Sequence, residues 1–277
     1  MFVIEFLQNF LGDRWLSFFL AVTHLGGEKI YIALLSLYFW LVNPAHGRQL
    51  GLVLSLSVIS NFLLKDAFAL PRPYILDPTV ATPEAIATKG SFSFPSGHAQ
   101  GITTVWGTIA YCQQKNWVWT VAIAIIFLVS LSRVYLGVHF PIDVIVGILL
   151  GIIWVSLGFW GNRDAERSAH TLEQKGLVWI AGGMLAIAFS GYASLIGVFC
   201  GFFTANVKHH QIPQHWFGKI MLGILGLSLT IMLQVILKRI SLLFPEFALV
   251  DYARYLAIAL WVTEGIPWLW RRIQPVR

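Results

Sequence analysis

Three short stretches of this chain carry residue types suited to one reaction. "KDAFALPRP" (65–73) sets Lys65 and Arg72 seven residues apart, two helical turns along one face. "PSGH" (95–98) places Ser96 and Gly97 ahead of His98, and "SRVYLGVHFPID" (132–143) supplies Arg133, His139 and Asp143. Three cations brought together without matching acids repel one another unless an anion sits among them. Arginine's planar fork suits phosphate oxygens in particular. Ser96 and Gly97 are expected at a helix N-terminus, where free backbone N–H groups and the helix dipole also favour an anion. Gly97, having no Cβ, lets that backbone approach closely. These residues read as a phosphate cradle.

The two histidines then take complementary roles. Asp143 lies four residues after His139, and its carboxylate can fix the imidazole tautomer, leaving the other ring nitrogen as a nucleophile. His98 can donate a proton to a leaving oxygen and later activate water. Lys65, Arg72 and Arg133 would hold charge developing on the transferred phosphoryl group. This chemistry calls for no metal and no cofactor.

The elements that must position these groups are apolar. The 277 residues are 57% hydrophobic and 12% charged, with 12 tryptophans and 20 phenylalanines. Soluble domains carry about 25% charged residues, and several stretches here approach the roughly 20 apolar residues that cross a bilayer. The net charge of +6 is dispersed, which points to membrane lipids rather than nucleic acid as the charged partner. Cys112 and Cys200 read as buried small hydrophobes. Residues 1–15 suggest an interfacial helix.

The organisation expected is an N-terminal interfacial or re-entrant segment over 1–26 and a catalytic membrane core over 27–160. A polar linker (161–175) and C-terminal transmembrane helices (176–277) follow. Helices are expected near 50–70, 97–113, 117–138, 141–160, 176–203, 216–240 and 252–270. Counting spans brings Lys65, Arg72, His98, Arg133, His139 and Asp143 to one end of the bundle. Ionisable groups at span ends normally face the bundle interior or a water-filled cavity.

At these residues the chain resembles the type 2 phosphatidic acid phosphatase superfamily, the lipid phosphate phosphatases. Its three motifs, a lysine followed seven residues later by Arg-Pro, a Pro-Ser-Gly-His, and a Ser-Arg with spaced His and Asp, stand here in order and without gaps. "THLGGEKIYIALLSLYFW" (23–40) is similar, more loosely, to the sphingosine-1-phosphate-phosphatase-like branch. The resemblance implies an all-α fold: a polytopic transmembrane helical bundle with a phosphatidic-acid-phosphatase type 2 core plus extra C-terminal transmembrane helices. It further implies a metal-independent hydrolysis of a lipid phosphate or diphosphate through a phosphohistidine on His139, with His98 as acid/base. The site would face outward from a cell inner membrane.

Other readings stay open. The same intermediate could pass its phosphoryl group to a lipid or sugar hydroxyl, and a transporter could bind phosphate without cleaving it. A zinc site is disfavoured beside three cations. Lys65 alone could snorkel to the interface, and Asp66 reads as a local partner for a cation. Tyr74, Asp77, Lys89 and Gln100 border the pocket and read as a solvated loop, with contact to a head group as the alternative. His24, Glu28 and Lys29 read as interfacial anchors, with a substrate-gate role as the alternative, and "KHHQIPQHW" (208–216) as an interfacial loop. Lys and Arg outside the site divide equally between the two ends, so charge alone leaves the orientation undecided. The lipid tail is recognised by apolar walls that no short pattern encodes.

Overall fold

A computed structural model describes residues 1–88, 91–160, 170–207, 210–244 and 247–273. Lys89, residues 161–169 of the expected linker, Lys208 and His209 lie outside the described residues. Every regular element described is helical. Four helices are long and apolar enough to cross a membrane: Pro44–Leu76, Asn116–Tyr135, Pro141–Trp160 and Trp216–Ser241. A fifth span is reached if Asp13–Gly26 and Glu28–Leu41, bent by 52° against each other, count as one. The paired glycines at 26–27 mark that break.

The chain divides into two compact units, Met1–Tyr31 with Leu56–Trp160, and Ile32–Ser55 with Gly161–Arg277. The first contains α1 (Phe2–Leu11), α2 (Leu16–Thr23) and the later turns of α4 (Pro44–Phe68). The short helices α5 (Pro73–Leu76) and α6 (Pro83–Ala87), then α7 (Gly97–Gln113), α8 (Asn116–Tyr135) and α9 (Pro141–Trp160), complete it. Its helix boundaries follow local chemistry. Ser96 caps α7 with its side chain, Pro141 opens α9 with the φ a first helical turn needs, and Thr82 caps α6. Gln114 in the left-handed region ends α7.

The helices α7 and α9 meet through small residues. A Cβ added at Gly147 would lie 2.6 Å from the Ser96 carbonyl oxygen, and one at Gly151 2.6 Å from Thr103 Cβ. Lipid tails are as apolar as the helices, so close backbone approach rather than water exclusion draws such pairs together. Ile4, Phe19, Tyr74, Val80, Tyr135, Val138 and Val144 form the apolar core at the same end. Gln8 of α1 donates to the carbonyls of Val80 at 2.8 Å and Tyr135 at 2.7 Å, pinning the loop after α5 to the end of α8. Tyr74 belongs to this core, contrary to the solvated position expected for it. Asp77 behaves as a turn residue, accepting from the backbone and hydroxyl of Thr79.

The second unit holds α3 (Glu28–Leu41) from Ile32 on and the first turns of α4. It continues with α10 (Leu172–Ala188), α11 (Ala193–Phe203), α12 (Trp216–Ser241), α13 (Ala248–Leu260) and α14 (Ile266–Ile273). The single helix expected over 176–203 is broken at Ser190–Tyr192, and α13 passes into α14 through a π-helical stretch, Trp261–Gly265. Several buried polar groups here are paired internally. Arg48 donates to the carbonyls of Phe202 at 3.1 Å and Phe203 at 2.7 Å, Trp40 Nε1 to Val262 O at 2.7 Å, and Lys175 pairs with Glu264. His210, expected on an interfacial loop, is buried, stacked on Phe39, with Nε2 2.9 Å from the Trp40 carbonyl. Cys112 and Cys200 are free thiols; Cys200 is buried as expected, while Cys112 is only half-buried.

Candidate active site

The end of α4, the start of α7 and the loop from α8 to α9 converge in the first unit, and all eight residues singled out in the sequence belong to it. His139 lies between two spans and is 2% exposed. Its Nδ1 is 3.3 Å from Asp143 Oδ2, and its Nε2 is 3.1 Å from Arg72 Nη1. Arginine can only donate, so Nε2 faces it as an acceptor and the ring proton sits on Nδ1, towards the carboxylate. That tautomer leaves a lone pair on Nε2. Burial first, then the charges of Arg72, Arg133 and Lys65 and the proximity of His98, hold the His139 imidazolium far below the usual histidine range. The ring is therefore neutral.

Asp143 is fixed from three further directions. Its Oδ2 accepts from Ser93 Oγ at 2.6 Å and from the Phe140 backbone N–H at 2.9 Å, while its carbonyl accepts from Ser96 N at 2.9 Å. The last bond joins the motif holding His139 directly to the turn that presents His98. Ser93 was not singled out in the sequence, and its side chain is wholly buried. Its place two residues before Pro95 was the only available signal.

The cations build the loop as well as the charge. Arg72 donates to the carbonyls of Ser91 at 2.8 Å, Phe92 at 3.0 Å and Val138 at 2.8 Å. Lys65 donates to Phe92 O at 2.5 Å and Ser93 O at 3.2 Å and is buried, so it does not snorkel to the interface. Arg133 is 0% exposed and donates through Nη1 to Thr23 Oγ1 at 2.5 Å and Thr88 Oγ1 at 2.9 Å. Thr23 and Thr88 lie outside all three motifs. His98 packs against Gly26, where an added Cβ would meet its Cδ2 at 2.9 Å. Lys65, Arg72, Arg133 and His24 all bear on His98 electrostatically.

A second polar layer underlies the Ser96–His98 turn. Asn61 Nδ2 donates to Gln100 Oε1 at 2.8 Å and to Pro95 O at 3.4 Å. Gln100 Nε2 donates to Ser57 O at 2.7 Å, and Trp154 Nε1 to Ser60 Oγ at 2.7 Å. Gln100 is thus buried in a network tying α4, α7 and α9, not placed in a solvated border. A Cβ at Gly97 would lie 3.0 Å from Asn61 Oδ1, which fits the requirement for glycine there. Among the described residues, no three His, Cys, Asp or Glu side chains gather closely enough to hold a metal ion.

The arrangement combines a neutral imidazole with an oriented lone pair, a second imidazole and three buried cations. Comparisons with known proteins bear directly on it. A profile described as the PAP2 superfamily matches residues 47–167, and one described as the PAP2 superfamily phosphatase, transmembrane extension, matches 189–276. Phosphatidylglycerophosphatase B of Bacillus subtilis is 32% identical over 145 residues, 48% of this chain and 68% of its own length. An undecaprenyl-diphosphatase of Sulfolobus acidocaldarius is 40% identical, covering 39% of this chain and 53% of that protein. Rat sphingosine-1-phosphate phosphatase 1 is 31% identical, over 47% of this chain and 31% of its length. The crystal structure of Aquifex aeolicus LpxE superposes with a TM-score of 0.51 at 27% identity, covering 57% of this chain and 93% of that one. The chain is a multi-pass membrane protein of the PAP2 superfamily, carrying that superfamily's transmembrane extension after its core.

Proposed function

We propose that the protein is a membrane phosphatase that hydrolyses a lipid phosphate or diphosphate through a phosphohistidine, without a metal. The carrying observation is the bracing of His139: Nδ1 towards Asp143 and Nε2 towards Arg72, with the ring buried and neutral. In this reading Nε2 attacks phosphorus and the bond to the leaving oxygen breaks, that oxygen taking a proton from His98. Water, giving a proton back to His98, then cleaves the phosphorus–nitrogen bond, releasing inorganic phosphate and regenerating neutral His139. Lys65, Arg72 and Arg133, with the backbone N–H of Gly97 at the start of α7, hold the phosphoryl oxygens as charge builds, while the Ser96 N–H, expected to join them, is taken by the Asp143 carbonyl.

The relatives named above act on phosphatidylglycerophosphate, undecaprenyl diphosphate and sphingosine-1-phosphate by their names. These share a phosphoryl group and differ in everything attached to it, which supports the reaction class and leaves the tail to assay. The test is phosphate release from these lipids by purified protein with excess chelator. Release by the parent and loss in His139→Ala is expected. A reaction stopped by chelator would end the metal-free mechanism, and release seen only with an added hydroxyl acceptor would make the protein a phosphotransferase.

A further inference from the structure

Tyr31 stands one residue after "GGEKI", and its hydroxyl is sealed from solvent with no hydrogen-bond partner among the described residues. It reaches over the first turns of α7: a Cβ added at Gly101 would lie 2.8 Å from its Oη. Gly101 is three residues beyond His98, on the helix whose N-terminus forms the cradle. Arg133 has a matching deficiency. It is wholly buried, its Nη1 is taken by Thr23 and Thr88, and its Nε has no partner among the described residues. Tyr31 and Arg133 act on each other electrostatically. The segment carrying Tyr31 is tied to the site at two more points, by Thr23 on Arg133 and by Gly26 against His98.

A buried donor without an acceptor is unfavourable. Two such donors, electrostatically coupled at a site built of cations, call for an anionic oxygen that both can reach. We infer that Tyr31 is a substrate-binding residue, its hydroxyl donating together with Arg133 Nε to a phosphoryl oxygen of the bound lipid phosphate. The inference rests on the proposed function for the identity of the substrate, but its core claim is phosphate recognition. It gives the 23–31 segment a role beyond anchoring: that segment supplies one wall of the phosphate site.

Tyr31→Phe tests this with the removal of one oxygen. Hydrogen bonds to charged groups are worth roughly 10- to 100-fold in binding. The dissociation constant for inorganic phosphate, measured by equilibrium dialysis of the detergent-solubilised full chain, should rise by that factor. KM for a hydrolysed lipid phosphate should rise in parallel with kcat little changed, because the contact exists before and during the reaction. The melting temperature should hold or increase, since the hydroxyl removed has no partner among the described residues. An unchanged phosphate dissociation constant overturns the inference, as does weaker binding accompanied by a lower melting temperature, which marks a structural role. If the parent hydrolyses none of the lipids but Tyr31→Phe still weakens phosphate binding, the inference stands and the hydrolase reading falls.

Discussion

At the residue scale the two histidines are distinguishable by what each does to a bond. His139→Ala removes the atom that would carry the phosphoryl group, so turnover should fall by about 10⁴-fold or more, and the acid-labile, alkali-stable label trapped on the parent from radioactive substrate by an alkaline quench should be absent. His98→Ala removes a proton donor, worth roughly 10²- to 10⁴-fold. That loss should shrink on a phosphate ester with an acidic alcohol, whose leaving oxygen needs no proton. A deficit of equal size on good and poor leaving groups would deny His98 the general-acid role. Ser93→Ala deletes one of the bonds on Asp143 Oδ2, and a loss of roughly tenfold or more in kcat is expected, with binding of inorganic phosphate retained.

The neutrality of His139 also has a sign in stability. The folded protein holds this ring unprotonated well below the ordinary histidine pKa of about 6.5. The unfolded chain therefore binds more protons than the folded one in mildly acid solution. Stability carried by the neutral ring is complete above about pH 6.5 and is lost as pH falls below that value towards the folded pKa. Thermal unfolding in detergent between pH 7 and pH 5 should show a drop that is shallower in His139→Gln. Equal slopes would place the ring in a solvated setting instead.

At the element scale the geometry depends on how closely α9 approaches the turn before α7. Gly147 faces the Ser96 carbonyl, a backbone atom that cannot swing away, so Gly147→Ala must push the helices apart. Overpacking of this kind costs about 1–3 kcal/mol, and the shift falls on the turn that presents His98. Lower melting temperature and lower activity are expected together. Gly176→Ala in α10 meets nothing within 4 Å and should leave both unimpaired. What was legible in the sequence sits at this scale too. Lys65 with Arg72, and His139 with Asp143, could be read because helical spacing alone sets their faces, and Pro141 and Ser96 announced two helix starts. Ser93, Thr23, Thr88 and Asn61 were not legible, because each gains its partner from a residue between 39 and 110 positions away. Gln100 and Tyr74 were misread for the same reason: their polarity suggested a wet border, while the fold supplied buried partners. The break at Ser190–Tyr192 had a signal in Ser190 and Gly191 that an otherwise apolar run concealed.

At the scale of the whole molecule the open variable is which side of the membrane the cradle faces. The family resemblance implies the outer side, and the balance of Lys and Arg at the two ends leaves the charge rule silent. The core offers its own markers. Thr79 is exposed in the loop that follows α5, beside the site, and Lys115 is exposed in the turn between α7 and α8. The helix α7 joins those ends over 17 residues, about 25 Å at the usual rise and close to the thickness of a bilayer core, so an α7 that crosses the membrane would put the two positions on opposite sides. With Cys112 and Cys200 replaced by alanine, Thr79→Cys should react with a membrane-impermeant maleimide on intact cells, and Lys115→Cys only after permeabilisation. The reverse pattern would put the cradle in the cytoplasm, where a lipid phosphate presented on the outer leaflet could not reach His139. Such a protein would have to draw its substrate from the inner leaflet, and the phosphate released would enter the cell directly.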